Sequence, residues 1–352
     1  MFEDIQLNVP LLRRRVPNLT TAARRVGLRA ATVSNLCTGK IPVARAEVRT
    51  LVALAALAGC RLDELIIRGG GVGMIETGIK VVDVFAPIVR GGTIGFVARP
   101  GMGQLVLLAE LFRRLQQRQF ATVFWMPGEE AIGISDVVAE VEVVCHSLDE
   151  VQDEVSNLRT DKDVLLGVDR SMVLSGELAT LKERIQEAGA RPVTVVLVDT
   201  LGHGADEESP YGPLDTLLRF DADLAARGFY PAVDPVISTS TLLEGAQLEA
   251  AHLNIQQRAR KMLRRYRELR ALVNIRGVEK VPASDMETYR RGERLEAFFT
   301  QPFFVAEAFT GKPGEHVVLT DTLECIRRIM DGEADDLDVS EVQYVGRIEF
   351  QP

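Results

Sequence analysis

Cysteine is scarce in this chain: Cys37, Cys60, Cys145 and Cys325 are all there is in 352 residues. No pair has C-x-x-C spacing and each sits mostly among apolar residues. That argues against a disulfide framework or a thiolate cluster and leaves reduced core thiols, as expected of a cytoplasmic protein. Histidine is equally sparse. His146, His203, His252 and His316 are scattered along the chain, so no metal centre is expected. Long apolar runs are missing too. The best candidate, Val52 to Ala58, is short and Ala-rich, well under the roughly 18 residues of a membrane span, and no secretory leader is expected. Internal repeats and low-complexity tracts are absent.

Length and uneven charge are what the chain does have. Its 352 residues allow two or three domains with an ample core. The whole chain carries −9, yet residues 1–68 hold 11 basic residues against 5 acidic ones, a net +6 that leaves −15 for the remainder. A basic head on an acidic body suggests that the head meets a polyanion, although Arg-rich helices are often only solvated faces.

The head reads as short helices: Leu11 to Val16, a Thr-capped Leu19 to Val26 stopped by Gly27, Leu28 to Leu36, a long Val43 to Leu57, and a last turn Leu62 to Ile66. Val33 and Leu36 lie three apart and face inward, leaving Arg29, Thr32, Ser34 and Asn35 outward. Gly69-Gly70-Gly71 is expected to be a swivelling joint with no strand before it.

From Met74 to about Val236, apolar strands (Thr93–Val97, Thr122–Trp125, Val164–Val168, Val193–Val198) alternate with helices (Leu105–Gln117, Glu177–Ala188). This α/β alternation implies a mainly parallel sheet covered on both faces. Beyond about Leu248 the chain is helical, with a basic periodic stretch from Gln256 to Leu272. The expected divisions are 1–68, a linker at 69–73, a core at 74–246 and a helical domain at 247–352. The polar loop His203 to Gly212 indicates no mechanism by itself.

The most telling segment is Ala98-Arg99-Pro100-Gly101-Met102-Gly103-Gln104-Leu105. A phosphate-binding loop reads G-x-x-x-x-G-K-[ST]: its amides cradle phosphate, its Lys reaches the outer phosphates and its hydroxyl ligates Mg²⁺. Here Ala98, Gln104 and Leu105 stand at the first glycine, the lysine and the hydroxyl. Only Gly101 and Gly103 remain. A plain glycine turn between strand and helix is the alternative.

The surrounding motifs decide between these. Ile75 to Asp83, Gly91 to Phe96, Val123-Phe124 leading to Gly128-Glu129, the apolar Val195 to Asp199, Tyr230 to Pro235, Ser238-Thr239-Ser240, Gln301-Pro302-Phe303 and Val305 to Gly311 occur in one order. Over residues 75–350 the chain closely resembles the catalytic beta subunit of rotary ATP synthases. The resemblance implies a RecA-like, P-loop-type core with a C-terminal helical bundle. It also makes Glu129 the relic of a water-activating base and Asp199 the relic of a Mg²⁺ anchor, and it gives Tyr230, Phe303 and Phe309 an adenine pocket. Acidic residues held by turn hydrogen bonds, and rings that merely fill the core, are the plainer readings of these positions.

The chain also departs from that pattern. Glu130 stands where the family has an arginine facing the γ-phosphate, and Thr241 where it supplies an arginine finger. The shaft-contacting acidic loop is reduced to Val278 to Asp285, and the crown barrel is replaced by the head. Phosphoryl transfer depends on cations that neutralise developing charge, and the finger alone is worth about 10³–10⁵ in rate. Hydrolysis is therefore expected to be abolished, with no Mg²⁺ cofactor. Gly101, Gly103, Gln104 and the three rings are left to hold an adenine nucleotide weakly.

The head resembles the Cro/repressor-type helix-turn-helix family over about 60 residues: an Ala-Ala helix, a Gly turn, Thr32-Val33-Ser34-Asn35-Leu36, Gly39-Lys40 and Leu62-Asp63-Glu64-Leu65. The resemblance puts Ala30–Leu36 in the major groove of double-stranded DNA, with Asn35 and Arg29 reading bases and Thr32 beside them. Ser34, Lys40, Arg24, Arg25 and the first-helix arginines would contact phosphate. The expected protein is a DNA-binding regulator whose inactive body self-associates or senses a ligand. A residual ATPase and an assembly protein that docks on a synthase or polymerises remain the alternatives.

Overall fold

The computed structural model describes residues 5–16, 18–38, 40–41, 43–68, 73–128, 131–185, 191–207, 209–244 and 248–350. The head packs five helices, α1 (Val9–Arg15), α2 (Leu19–Arg25), α3 (Ala30–Cys37), α4 (Val48–Ala58) and α5 (Leu62–Leu65), around Leu12, Ala23, Val33, Leu36 and Leu54. Several local features differ from the sequence reading. Asn18, in a left-handed conformation, precedes α2 in place of the expected Thr cap. The expected Val43–Leu57 helix is a 3-10 turn, Val43–Arg45, followed by α4. Strand β1 (Ile5–Leu7) pairs antiparallel with β2 (Ile66–Arg68), a ribbon that ties the head's two ends together. A strand therefore does stand before the glycines. Gly69–Gly71 lie outside the described residues, and the first helix contacts the turn Thr241–Glu244 of the body.

The body opens with a small ribbon, β3 (Met74–Ile75) against β4 (Ile88–Val89), enclosing α6 (Lys80–Phe85). Its centre is a seven-stranded sheet of β5 (Thr93–Val97), β6 (Ala121–Trp125), β7 (Val143–Cys145), β8 (Val164–Asp169), β9 (Val193–Val198), β10 (Thr216–Arg219) and β11 (Thr239–Ser240). Across the sheet the order is β11-β10-β5-β9-β8-β6-β7, and only β10–β11 is antiparallel. Strands buried on both faces read as continuous apolar runs, which is why β6, β8 and β9 are visible in the sequence. The fold is mixed α/β around a mainly parallel sheet, consistent with a RecA-like nucleotide-binding fold.

Helix α7 (Gln104–Gln117) leaves β5 through the loop and packs Leu107, Leu108, Leu111 and Phe112 into the larger core, which also takes in the C-terminal helices Met286–Phe298 and Leu319–Asp331. Several cations of the basic helix Ala250–Arg276 are paired with carboxylates of its neighbours. Arg267 meets Asp234, Arg270 meets Asp223 and Arg265 meets Asp285, at 2.9, 2.6 and 2.7 Å. Among the described residues no helix is long and apolar enough to cross a membrane.

Candidate functional site

The loop between β5 and α7 turns on two left-handed glycines, Gly101 (φ 80°) and Gly103 (φ 87°), a backbone conformation that costs other residues about 1–2 kcal/mol. Pro100 and Gly101 are exposed. Gln104 and Leu105 turn inward and are only 4% and 6% exposed. The Gln104 amide has no hydrogen-bond partner among the described residues. The position that would carry a lysine to phosphate thus holds a buried neutral group, and the hydroxyl position holds an isobutyl group packed in the core. Arg99 is exposed and is held by Asp206 at 2.8 Å.

Asp206 belongs to the segment that follows β9, and this segment folds onto the loop. Gly202 is left-handed, and a Cβ on it would lie 2.5 Å from Pro100. The Tyr211 hydroxyl donates to the Phe96 carbonyl at 2.5 Å. Asp199, at the end of β9, accepts the backbone N–H groups of Leu201 (3.2 Å), Gly202 (2.7 Å) and Gly204 (2.6 Å), with Arg170 at 3.9 Å. Its carboxylate serves its own turn, the plainer of the two readings of this residue. Glu129 and Glu130 lie outside the described residues. No three His, Cys, Asp or Glu side chains among the described residues converge to hold a metal ion.

Beside the loop lies a cavity of about 550 Å³, within the range that takes small molecules. Gly101, Gly103, Tyr230 and Phe303 line it, as the sequence suggests, with Tyr344 and Lys312 added. Phe309 does not. It is 87% exposed on the one-turn helix Glu307–Thr310, because that turn carries its ring outward, and Tyr344 supplies the third aromatic wall. The Tyr344 hydroxyl donates to the Gly228 carbonyl and accepts from the Tyr230 N–H at 3.1 Å, and Lys312 Nζ stands 4.8 Å from its ring centroid. Neither Tyr344 nor Lys312 belongs to a motif that draws attention in the sequence.

A buried polar network adjoins this cavity through Gln301. Glu110 and Arg114 pair at 2.6 Å one turn apart on α7, both nearly fully buried. Glu110 accepts the N–H groups of Phe304 and Val305 at 3.2 and 3.0 Å, and Arg114 donates to the carbonyls of Gly78 and Glu315 at 3.0 and 2.7 Å. The Gln301 amide donates to the same two carbonyls and accepts the Lys80 N–H. The Thr77-to-Asp83 motif belongs to this network. Asp83 accepts from Thr77 and from the Gly78 N–H, and burial pushes its carboxyl up to about 7 despite those bonds. Burial pushes the Lys80 amine down to about 7, its Nζ donating to the Val345 carbonyl at 2.5 Å over the Phe298 ring. The only sequence signal for the Glu110–Arg114 pair is two charges four residues apart on the apolar side of a helix.

In the head, α2 and α3 are joined by the short segment Val26–Arg29 and pack against each other. Arg24, Arg25, Arg29, Ser34 and Lys40 are exposed; Thr32 and Asn35 are half-buried. Thr32 is not fully outward. It lines a groove against α4 together with Arg29, Arg45 and Thr50, because Val33, Leu36 and Cys37 turn that side of α3 toward the core.

Residues 78–153 match the profile of the ATP synthase alpha/beta family, nucleotide-binding domain. Among solved structures, the chain is similar to a unique ATP synthase subunit, NeqB, from Nanoarcheaum equitans. The identity is 16% and the TM-score 0.57, covering 76% of this chain and 80% of that one. At that identity the likeness concerns fold. The body therefore has an ATP-synthase-subunit-like nucleotide-binding fold.

Proposed function

We propose that this chain is a DNA-binding regulator whose body holds a ligand in the aromatic cavity without hydrolysing triphosphate. The observation that carries the catalytic half is the inward burial of Gln104 and Leu105 at the start of α7. With neither lysine nor hydroxyl, the loop offers a triphosphate only its amides. Each charge-assisted hydrogen bond it lacks is worth about 1.5–3 kcal/mol. Asp199, occupied by its own turn, supports the same reading.

The DNA half rests on the head's arrangement of α2 and α3 and on its net charge of +6. Arg29 precedes α3 with its side chain exposed, placed to read a base edge, and Arg24, Arg25, Ser34 and Lys40 supply phosphate contacts. Such heads commonly act in pairs on two half-sites. The test is a gel shift on genomic fragments over a salt series. The Arg29→Ala/Asn35→Ala protein is expected to lose sequence preference while keeping salt-dependent residual binding. Unchanged binding by that protein refutes the assignment.

The match to a nucleotide-binding domain favours one second reading, a nucleotide-bound body with residual turnover. It requires phosphate release that disappears in Glu129→Gln.

A further inference from the structure

The aromatic cavity carries more chemical information than its rings. Twelve described residues line it, and Lys312 is the only charged one among them. Most of the other polar groups are already spent. Gln301 has both ends of its amide bonded to Gly78, Glu315 and Lys80. The Tyr344 hydroxyl is used once as donor and once as acceptor. The Thr310 hydroxyl donates to the Ala306 carbonyl at 3.0 Å. The Tyr230 hydroxyl is without a partner among the described residues. A ligand therefore finds three aromatic walls, one phenol and one ammonium.

Where Lys312 stands decides what the ammonium can do. It lines the cavity with its Nζ 4.8 Å from the Tyr344 ring centroid, and no carboxylate among the described residues lies within ion-pair distance of it. A phosphate group on a ring system stacked in the cavity has this ammonium as its one lining cation. A second or third phosphate finds no further cation among the lining residues: the loop's cation position is the buried Gln104, and the exposed Arg99 is paired with Asp206 at 2.8 Å.

We infer that the cavity takes a planar aromatic ligand bearing a single anionic group directed at Lys312, of the class of a purine mononucleotide, in preference to the di- or triphosphate. This rests on the reading above that the cavity holds a ligand. Its distinctive consequence is an inverted order of affinity, because a working phosphate loop tightens binding as phosphates are added.

The experiment is calorimetry on the full chain in EDTA with adenosine, AMP, ADP and ATP, repeated with Lys312→Met and Lys312→Arg. Lys312 is exposed, so neither substitution threatens folding. AMP is expected to bind on the order of tenfold tighter than adenosine, as one exposed charge-assisted contact provides. ADP and ATP should bind no better than AMP. The AMP advantage should vanish in Lys312→Met and persist in Lys312→Arg. If adenosine binds as well as AMP, if ATP binds tightest, or if Lys312→Met changes nothing, the inference falls while the cavity remains a ligand site. If none of the four binds, the ligand-holding reading falls with it.

Discussion

Restoring the missing loop chemistry is the most direct perturbation of this molecule. In Gln104→Lys/Leu105→Thr, the ammonium and hydroxyl that the loop pattern demands return to positions that are 4% and 6% exposed. The cost falls on the empty protein. Leu105 packs in the main core, and trimming a buried leucine typically costs about 2–5 kcal/mol; the new ammonium is desolvated as well. The gain falls on the complex. Two charge-assisted contacts at about 1.5–3 kcal/mol each give about 3–6 kcal/mol gross toward a triphosphate with Mg²⁺. After the cost of ordering, roughly a hundredfold gain in affinity remains. The empty variant should melt below the parent and recover with added Mg-ATP, read by thermal unfolding and calorimetry. Phosphate release should stay at the buffer blank. Thr241 stands where the resemblance puts an arginine finger, a group worth about 10³–10⁵ in rate. The reasoning is refuted if the parent already binds Mg-ATP as tightly as the variant, or if the variant turns over ATP.

Other outcomes follow from the buried charges. Asp83, held near 7 against an ordinary 3.8, binds a proton more readily folded than unfolded, so its contribution to stability falls as pH rises from about 4 to 7. Lys80, held near 7 against an ordinary 10.5, does the reverse, and stability rises from pH 7 toward 10. Urea midpoints should show the second slope disappear in Lys80→Met and the first survive. Arg114→Met leaves Glu110 buried without its cation and should cost about 3–5 kcal/mol in urea unfolding. Adding Glu110→Leu should return part of that loss, and no recovery would show that the pair is not the unit that matters. In the head, Arg25→Ala should weaken DNA binding alike across sequences and lower the salt slope by about one, checked by titration at several salt concentrations.

The parts of this fold legible in the sequence are those with a local signature. Val164–Val168 and Val193–Val198 are apolar runs of strand length, and β8 and β9 lie there. Residues 105–117 carry helical periodicity directly after a glycine turn, and α7 starts one residue before the expected Leu105, at Gln104. The β1–β2 ribbon is not legible. It joins two three-residue segments some sixty positions apart, too short for alternation to register. Tyr344 and Lys312 are not legible either, because only tertiary folding brings the chain's last quarter against Tyr230 and Gly103. Phe309, which the resemblance assigns to the pocket, points outward. Its motif is intact, but whether a ring points in or out of a four-residue helix is set by one turn of backbone rather than by the motif.

The ribbon has a topological meaning. Ile5 lies opposite Arg68 and Leu7 opposite Ile66, so the head's chain enters and leaves at nearly the same point. The covalent link from the body starts at Arg68, in the outermost pair of the ribbon. The backbone toward the body thus departs from the same end of the ribbon at which Ile5 stands, so the head is closed on itself by its own terminal strands.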